Sequence, residues 1–243
     1  MNASQAGRAA QLAREVQEVV GADLVSIVWY GSGLRADFVE GVSDLNFMVV
    51  VRGAAADVLE RLRSHWPRWQ RRGLAVPLVV ERQFLERAAD VFPMELADIR
   101  ACHQVLAGED VVAQIEIHPA HLRRQLEFEL RSKYLKLGSL YLQSRSLGRA
   151  LDGILLEAAK SFCLLMRHVL ALANAPVAGT LAEVAEGFER VFAKNLPALR
   201  RLLAIRRREA QWPKDRDALF RALLAEASAI VDVADRSILT HHD

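Results

Sequence analysis

In the first half of the chain, segments with the apolar spacing of a helix alternate with short apolar runs typical of strands. Over residues 3–20 apolar residues recur every three or four positions, as on one face of a helix. Two apolar runs, 23–30 and 45–51, are rich in β-branched residues and bounded by polar or glycine positions, which predicts buried strands. A third strand is predicted over 74–80, at a sheet edge because Pro77 has no N–H to donate.

The remaining elements divide the chain in two. Helical spacing predicts short helices over 54–66 and 83–89, and a fourth strand is predicted over 94–105. From about residue 118 onward only helical periodicity appears. Its segments are 121–143, 151–173, 181–192, 196–209 and 214–240. The pattern therefore predicts an α/β domain over 1–115 followed by a helical bundle over 118–243.

Composition narrows the class of protein. The 243 residues are 52% hydrophobic and 26% charged, which suits a globular protein and excludes a disordered chain. A formal net charge of +2 argues against a protein that coats nucleic acid. Cys102 and Cys163 stand far apart, which excludes a disulfide framework. Neither an N-terminal signal segment nor a membrane-length apolar run is evident, so we expect a cytoplasmic protein.

One stretch, WYGSGLRADFVEGVSDLNFMVVV over 29–51, carries the candidate chemistry. Its first strand ends at Gly31-Ser32-Gly33, where glycine permits a tight turn and close approach of the backbone to a ligand. Ser32 would add a hydroxyl and an N–H near the start of a short helix predicted over 34–39, a place that favours phosphate. The turn is therefore a candidate site for nucleotide phosphates.

Two polar residues open the next strand. Side chains alternate along a strand, so Asp44 and Asn46 are expected to project from the same face. Two oxygen ligands side by side suit Mg²⁺, which commonly binds carboxylates together with substrate phosphates. A phosphate turn beside a metal-binding strand is the arrangement that phosphoryl and nucleotidyl transfer require.

The stretch resembles the nucleotidyltransferase (polymerase-beta-like) superfamily. That fingerprint is Gly-Ser or Gly-Gly, a spacer of about ten residues, and Asp-x-Asp or Asp-x-Glu at a strand start. Gly31-Ser32 and Asp44 match it in type, order and spacing. The helical second half is similar to members that modify small molecules, such as the aminoglycoside nucleotidyltransferases. The resemblance implies an α+β fold, with a mixed β-sheet and flanking helices followed by an all-α helical bundle.

The resemblance also implies roles for these residues. Gly31, Ser32 and Gly33 would hold the phosphates, and Asp44 would contact the nucleotide and ligate Mg²⁺ as a catalytic residue. Where the superfamily has its second acid this chain has Asn46, a weakened metal ligand that offers a carbonyl oxygen but no charge. Because that charge stabilises the attacked phosphate, three outcomes stay open: slow transfer, one-metal chemistry, or an inactive descendant that binds a ligand.

The superfamily has a third carboxylate on a strand alongside. The candidates are Glu95 and Asp98 on the predicted fourth strand, with Glu81 behind them. Residues three apart face opposite sides of a strand, so at most one of Glu95 and Asp98 points to the site. Glu95 is preferred because Phe92-Pro93 reads as the start of that strand. It would be a metal ligand and the general base.

The long helix predicted over 121–143 carries many basic residues. Most of them form i,i+4 pairs with acidic residues, as Glu129 does with Lys133, which is typical of a solvated helix face. The resemblance supports an alternative, in which Arg123, Arg131 or Lys133 meets the triphosphate. Lys133 therefore counts among the candidate nucleotide-binding residues.

Two functions from different classes follow. The leading hypothesis is a transferase that moves a nucleoside monophosphate from a nucleoside triphosphate to an acceptor hydroxyl, with Mg²⁺ as cofactor. Its acceptor is unknown, and a small molecule is favoured over nucleic acid. The alternative is a catalytically inactive nucleotide-binding, regulatory or partner-binding protein on the same fold. The substitution Asp44→Ala would abolish transfer in the first case, whereas capture of a partner would survive it.

Overall fold

The computed structural model describes residues 3–34, 44–144, 150–177 and 179–239. The chain divides into two compact units, Met1–Leu122 and Arg123–Asp243. The division falls a few residues beyond the junction that the hydrophobic pattern suggested, and the predicted domain limits of 1–115 and 118–243 stay a prediction.

The first unit is built on a four-stranded sheet. Its strands are β1 (Leu24–Tyr30), β2 (Asn46–Val51), β3 (Leu78–Glu81) and β4 (His103–Gly108), arranged in the order β3-β2-β1-β4. β1 pairs antiparallel with β2 and β4, whereas β2 and β3 run parallel. The sheet is thus mixed, and β1 and β2 are buried in the middle because both of their faces are apolar.

Helices cover both faces of this sheet. They are α1 (Ala3–Val20), α2 (Ala55–Arg63), α3 (Trp66–Gln70), α4 (Arg82–Arg87) and α5 (Pro93–Ala101). On one face, which we call the α1 face, the apolar stripe of α1 packs against alternate residues of the strands, among them Trp29 and Phe47. On the other, the α5 face, Leu96 and Ile99 pack against Val28.

The two strands at the edges of the sheet, β3 and β4, have different bounds from those predicted. The segment 94–105 is not one strand, because α5 ends at Ala101 and only His103–Gly108 is extended. Pro93 stands at the first helical position, where its missing N–H is not needed, and this starts the helix. β3 lies at the sheet edge as Pro77 predicted, but it begins only after that proline and is preceded by an isolated bridge at Leu74.

The described part of the second unit is helical, as its periodicity predicted. The helices are α6 (Pro119–Ser144), whose first residues precede the division, α7 (Ala150–Leu172), α8 (Leu181–Phe192), α9 (Pro197–Arg206) and α10 (Arg216–Leu239). Thr180 and Glu183 form a capping box at the start of α8. The buried carboxylate of Glu226 accepts the N–H groups of Ala198 and Leu199 at the start of α9. None of the helices in the described ranges has the length and apolar character of a membrane span.

Candidate functional site

The candidate site lies at one end of the sheet, which we call the motif end. There β1 finishes and β2, β3 and β4 begin. Gly31 follows β1 with a φ of 85°, in the left-handed region that favours glycine, and opens the 3-10 turn Gly31–Leu34. The Gly31 N–H donates to the carbonyl oxygen of Cys102 over 3.4 Å, which ties the turn to the start of β4. The rest of the short helix predicted over 34–39 lies outside the described residues.

The turn is held from the α1 face. The Gln5 side chain, only 5% exposed, donates from Nε2 to the Gly33 carbonyl oxygen over 2.9 Å. Below the turn lies the fully buried indole of Trp29. A Cβ added to Gly33 would stand 2.7 Å from Trp29 Nε1, closer than real contacts allow. Because Trp29 is enclosed in the core, we expect that only glycine fits at position 33.

The structure brings Asn46 against this turn. Asn46 is the cross-strand partner of Tyr30, and a Cβ on Gly31 would lie 3.2 Å from Asn46 Nδ2. Leu45 packs into the core of the α1 face, so Asp44 and Asn46, which flank it, belong to the α5 face. Asp44 is exposed. The spacing in the sequence thus places the amide of Asn46 beside the glycine turn, with Asp44 two residues away.

The strand beside Asn46 offers no acid. Leu45 bridges to Leu74 in the parallel sense, and the Ala75 N–H donates to the Leu45 carbonyl oxygen over 2.9 Å. The segment that continues from this bridge toward β3 carries Ala75 and Val76, and Val76 is 75% exposed. Neither of these two described residues carries a carboxylate.

Glu81 lies at the other end of the sheet. It pairs with Val51, five residues along β2 from Asn46, which corresponds to about 17 Å of strand. Its carboxylate accepts the N–H of Ala55 at the start of α2 over 3.2 Å. The structure therefore does not bring Glu81 to the motif end.

Glu95 and Asp98 lie on α5 rather than on a strand. The argument that strand alternation separates them is therefore wrong, and so is the choice of Glu95 as a residue near a strand start. Cys102, whose carbonyl receives the Gly31 N–H, follows α5 directly. Glu95 stands seven residues earlier, about 10 Å along the helix axis. The role of Glu95 as metal ligand and base stays a prediction.

The donor set at the motif end fits Mg²⁺ poorly. A site of this kind needs several carboxylate oxygens, because they compensate the ion for its reluctance to lose water. Here Asp44 is followed two residues later by the neutral amide of Asn46, and the described segment beside Leu45 continues from Leu74 into Ala75 and Val76. Within the described ranges, no group of three histidine, cysteine, aspartate or glutamate side chains could hold a metal ion. We therefore derive no catalytic step through a metal.

Lys133 belongs to the second unit, on α6. Its ammonium lies 3.6 Å from the carboxylate of Glu129, the i,i+4 pair that the sequence suggested. Arg131 on the same helix is bound to Glu127 and Asp235. The proposed contact of Lys133 with a nucleotide stays a prediction.

Sequence reasoning missed four residues of the motif end, which are Gln5, Arg8, Tyr30 and Gly73. Arg8 lies one helical turn after Gln5 on α1, and its Nη1 is 4.0 Å from the place where a Cβ of Gly73 would stand. The Gly73 carbonyl oxygen accepts the Leu45 N–H over 2.8 Å. Tyr30, the partner of Asn46, is half-buried, and burial raises the pKa of its phenol. The i,i+3 spacing of Gln5 and Arg8 was the available signal, but it does not reveal what α1 packs against.

A mixed sheet with the glycine turn at its motif end, together with a helical second unit, is the fold of a nucleotidyltransferase. The solved structure of spectinomycin adenyltransferase AAD(9) from Enterococcus faecialis, with ATP and spectinomycin, is similar to this chain with a TM-score of 0.56. The match covers 97% of this chain and 100% of that one, at 11% sequence identity. The comparison confirms the predicted fold class and two-part organisation.

No protein-family model matches the chain, and no curated protein matches it. The similarity to the nucleotidyltransferase therefore extends to the fold. The chemistry of the motif end depends on this chain's own residues.

Proposed function

We propose that the chain binds a nucleoside triphosphate at the motif end, and that it has lost the Mg²⁺-dependent transfer which the superfamily resemblance implies. The observation that carries the proposal is the contact between Asn46 and Gly31. A turn suited to phosphate here lies beside an uncharged amide, at the position where the superfamily pattern has its second acid.

Several features support binding of phosphates at the turn. Gly31 has a left-handed backbone and no side chain, so the turn can be tight and the amide of Asn46 can lie close beside it. The hydrogen bonds to Gln5 and Cys102 fix the turn on both sides. A turn held in this way loses little conformational freedom when a ligand binds, which favours affinity.

Loss of transfer follows from the charges. In two-metal transfer, cations stabilise the negative charge that develops on the attacked phosphate. Among the described residues of the motif end, Asp44 is the acid of the motif and the segment beside Leu45 carries Ala75 and Val76, so these residues offer the cations too few anionic ligands. We therefore favour an inactive nucleotide-binding protein over an enzyme that transfers nucleoside monophosphates.

A second ligand is part of the proposal. The similar adenyltransferase was solved with both ATP and spectinomycin. We propose that this chain also receives a small molecule beside the nucleotide, which would make it a nucleotide-dependent binding protein for that molecule.

The test is thermal unfolding with ATP, GTP, CTP and UTP. A nucleotide at 100 times its dissociation constant should stabilise the fold by about 2.7 kcal/mol, which corresponds to a shift of about 5–10 °C for a chain of this length. Gly31→Ala should remove the shift. Gly21→Ala is the matched control, because Gly21 also has a positive φ but has open space around its Cα. An unchanged unfolding temperature with all four nucleotides would refute binding.

Transfer is measured separately. Wild-type protein with Mg²⁺ and each triphosphate should release no pyrophosphate above background, both alone and with a panel of aminoglycosides and aminocyclitols. Sustained release that disappears in Asp44→Ala would show instead that the chain is an active transferase.

A further inference from the structure

Two hydrogen-bond donors at the motif end are buried without a partner among the described residues. They are Nε of Arg8 and Nε1 of Trp29. A buried donor without an acceptor is unfavourable, and native structures rarely keep one without a reason. Trp29 is fully enclosed below Gly33, so its indole is not accessible to a ligand. Arg8 as a whole residue is only half-buried, so of the two side chains it is the one that is partly exposed to solvent.

Arg8 is positioned between the two halves of the motif. Gln5, one turn earlier on α1, holds the carbonyl of Gly33. The Arg8 guanidinium approaches Gly73, whose carbonyl binds the N–H of Leu45, the residue after Asp44. Helix α1 therefore contacts the glycine turn through Gln5, and it approaches Gly73 through Arg8.

Among the described residues, no carboxylate forms an ion pair with Arg8. The nearest acidic residue on the same side of α1 is Glu15, two turns further on. Glu15 is already bound to Arg72 over 2.7 Å and to the indole N–H of Trp69 over 3.0 Å. A guanidinium without such a pair suits the planar, multiply charged oxygen array of a phosphate.

We infer that the motif end holds the triphosphate without a divalent cation, and that Arg8 supplies the compensating positive charge. The inference rests on the proposed function and deepens it. With a metal present, Asp44 would attract the metal-bound phosphates. Without a metal, Asp44 repels them, so its charge opposes binding. Removing the charge of Asp44 should therefore weaken ATP binding if a metal is required, and should leave it unchanged or strengthen it if no metal is required.

Isothermal titration calorimetry with ATP, in buffer containing either EDTA or Mg²⁺, tests the inference. We expect the dissociation constant of the wild type in EDTA to stay within about threefold of its value in Mg²⁺. Arg8→Met should weaken binding about 10-fold to 100-fold, the range for a lost hydrogen bond to a charged group. Arg8→Lys should lose less, because it keeps the charge. Asp44→Asn should bind ATP in EDTA as tightly as the wild type or more tightly.

Arg14→Met is the matched control, because Arg14 is an exposed arginine of α1 that bonds only to the carbonyl of Ala10 in its own helix. Its ATP affinity should equal that of the wild type. Circular dichroism of every variant checks that it is folded, and Arg8→Lys decides the outcome if Arg8→Met is not. Binding that requires Mg²⁺ and is abolished in Asp44→Asn would overturn the inference while leaving the proposed function intact. Absence of binding in both buffers would overturn the proposed function itself.

Discussion

The two ends of the sheet differ in whether their polar side chains have partners within the fold. At the end opposite the motif end, charged groups are paired: Asp23 with Arg61, and Arg82 with Glu109 over 2.8 Å. At the motif end Asp44 is exposed, and Arg8 has a buried donor without a partner in the described ranges. Polar groups whose partners lie within the fold stabilise it, whereas polar groups left without one are available to a ligand.

Glycines show the same difference. At the opposite end, a Cβ on Gly108 would stand 2.0 Å from the carbonyl oxygen of Val25, so backbone packs directly on backbone. At the motif end, a Cβ on Gly31 would meet only the amide of Asn46, at 3.2 Å. The first glycine serves the packing of β4 on β1, and the second lets the side-chain amide of Asn46 approach the turn. The end that sets stability and the end that binds are therefore separable by substitution.

The largest effect is expected at the opposite end, from Gly108→Ala. The substitution adds a clash with the backbone of Val25 to the strain of a positive φ. We expect the free energy of unfolding to fall by about 3 kcal/mol, measured by urea denaturation.

Gly21→Ala is the matched control for Gly108→Ala. Gly21 has a φ of 63° and nothing within 4 Å of its added Cβ. It should lower the free energy of unfolding by about 1 kcal/mol, from backbone strain alone. Equal losses in the two variants would show that the close packing of Gly108 on Val25 is unimportant.

A smaller loss of stability, joined to a loss of binding, is expected from Gly33→Ala. The new methyl group would push against the enclosed indole of Trp29 and displace the turn. We expect about 1–2 kcal/mol of destabilisation, together with a loss of the thermal shift produced by nucleotides. A variant that is destabilised but still binds normally would contradict the view that this turn holds the phosphates.

Glu15 lies on α1 between the two ends and should show a pH-dependent effect. The hydrogen bond from Arg72 holds the pKa of Glu15 below its usual range. A carboxylate with a lowered pKa stabilises the fold above its unfolded pKa, and this contribution is lost as the pH falls through the folded pKa. Glu15→Gln should therefore lower the free energy of unfolding by about 1 kcal/mol at pH 7.

The same comparison at decreasing pH provides the check on Glu15. As the pH falls through the folded pKa of Glu15, which lies below its usual range, the carboxyl becomes protonated and the difference between the two proteins should shrink. A constant difference across the pH range would mean that the amide disturbs packing rather than removing a charge.

The smallest effect is expected from Asp23→Asn, which removes the ion pair with Arg61. Both side chains are more than a third exposed, at 42% and 41%. Exposed pairs contribute about 0–1 kcal/mol and are screened by salt. Urea denaturation at low and high salt should show a difference of a few tenths of a kcal/mol that vanishes at high salt. A loss above about 1 kcal/mol would mean that this end is held more tightly than an exposed ion pair allows.

The elements that the sequence predicted well have strong local signals. β1 and β2 are continuous β-branched runs, and the helices of the second unit follow from a sustained apolar stripe. The contact between the turn and Asn46 was also predictable, because two buried strands joined by a short segment pair side by side. Such features depend on neighbouring residues in the sequence.

The features that were missed depend on distant residues. The segment from Met94 to Ala101 is helical because Pro93 starts it and the sheet receives Leu96 and Ile99, and its apolar content alone did not distinguish helix from strand. The segment with Ala75 and Val76 lies beside Leu45 only through the bridge between Leu45 and Leu74. The position of Arg8 likewise requires knowing that α1 packs across the glycine turn. Glu95 and Asp98, the leading candidates for the third acid, were therefore assigned to a strand although they lie on α5.

The central claim is that the motif end binds the nucleotide and the opposite end does not. Hydrogen–deuterium exchange with and without ATP, in EDTA, tests it most directly. We predict added protection in peptides covering 29–34 and 44–48, and none in peptides covering 21–26 and 106–110. A cavity of about 310 Å³ at the opposite end, lined in part by Arg82, Glu86 and Ile115, is the competing site. Protection confined to 82–86 and 111–116, with the glycine turn unchanged, would contradict the account.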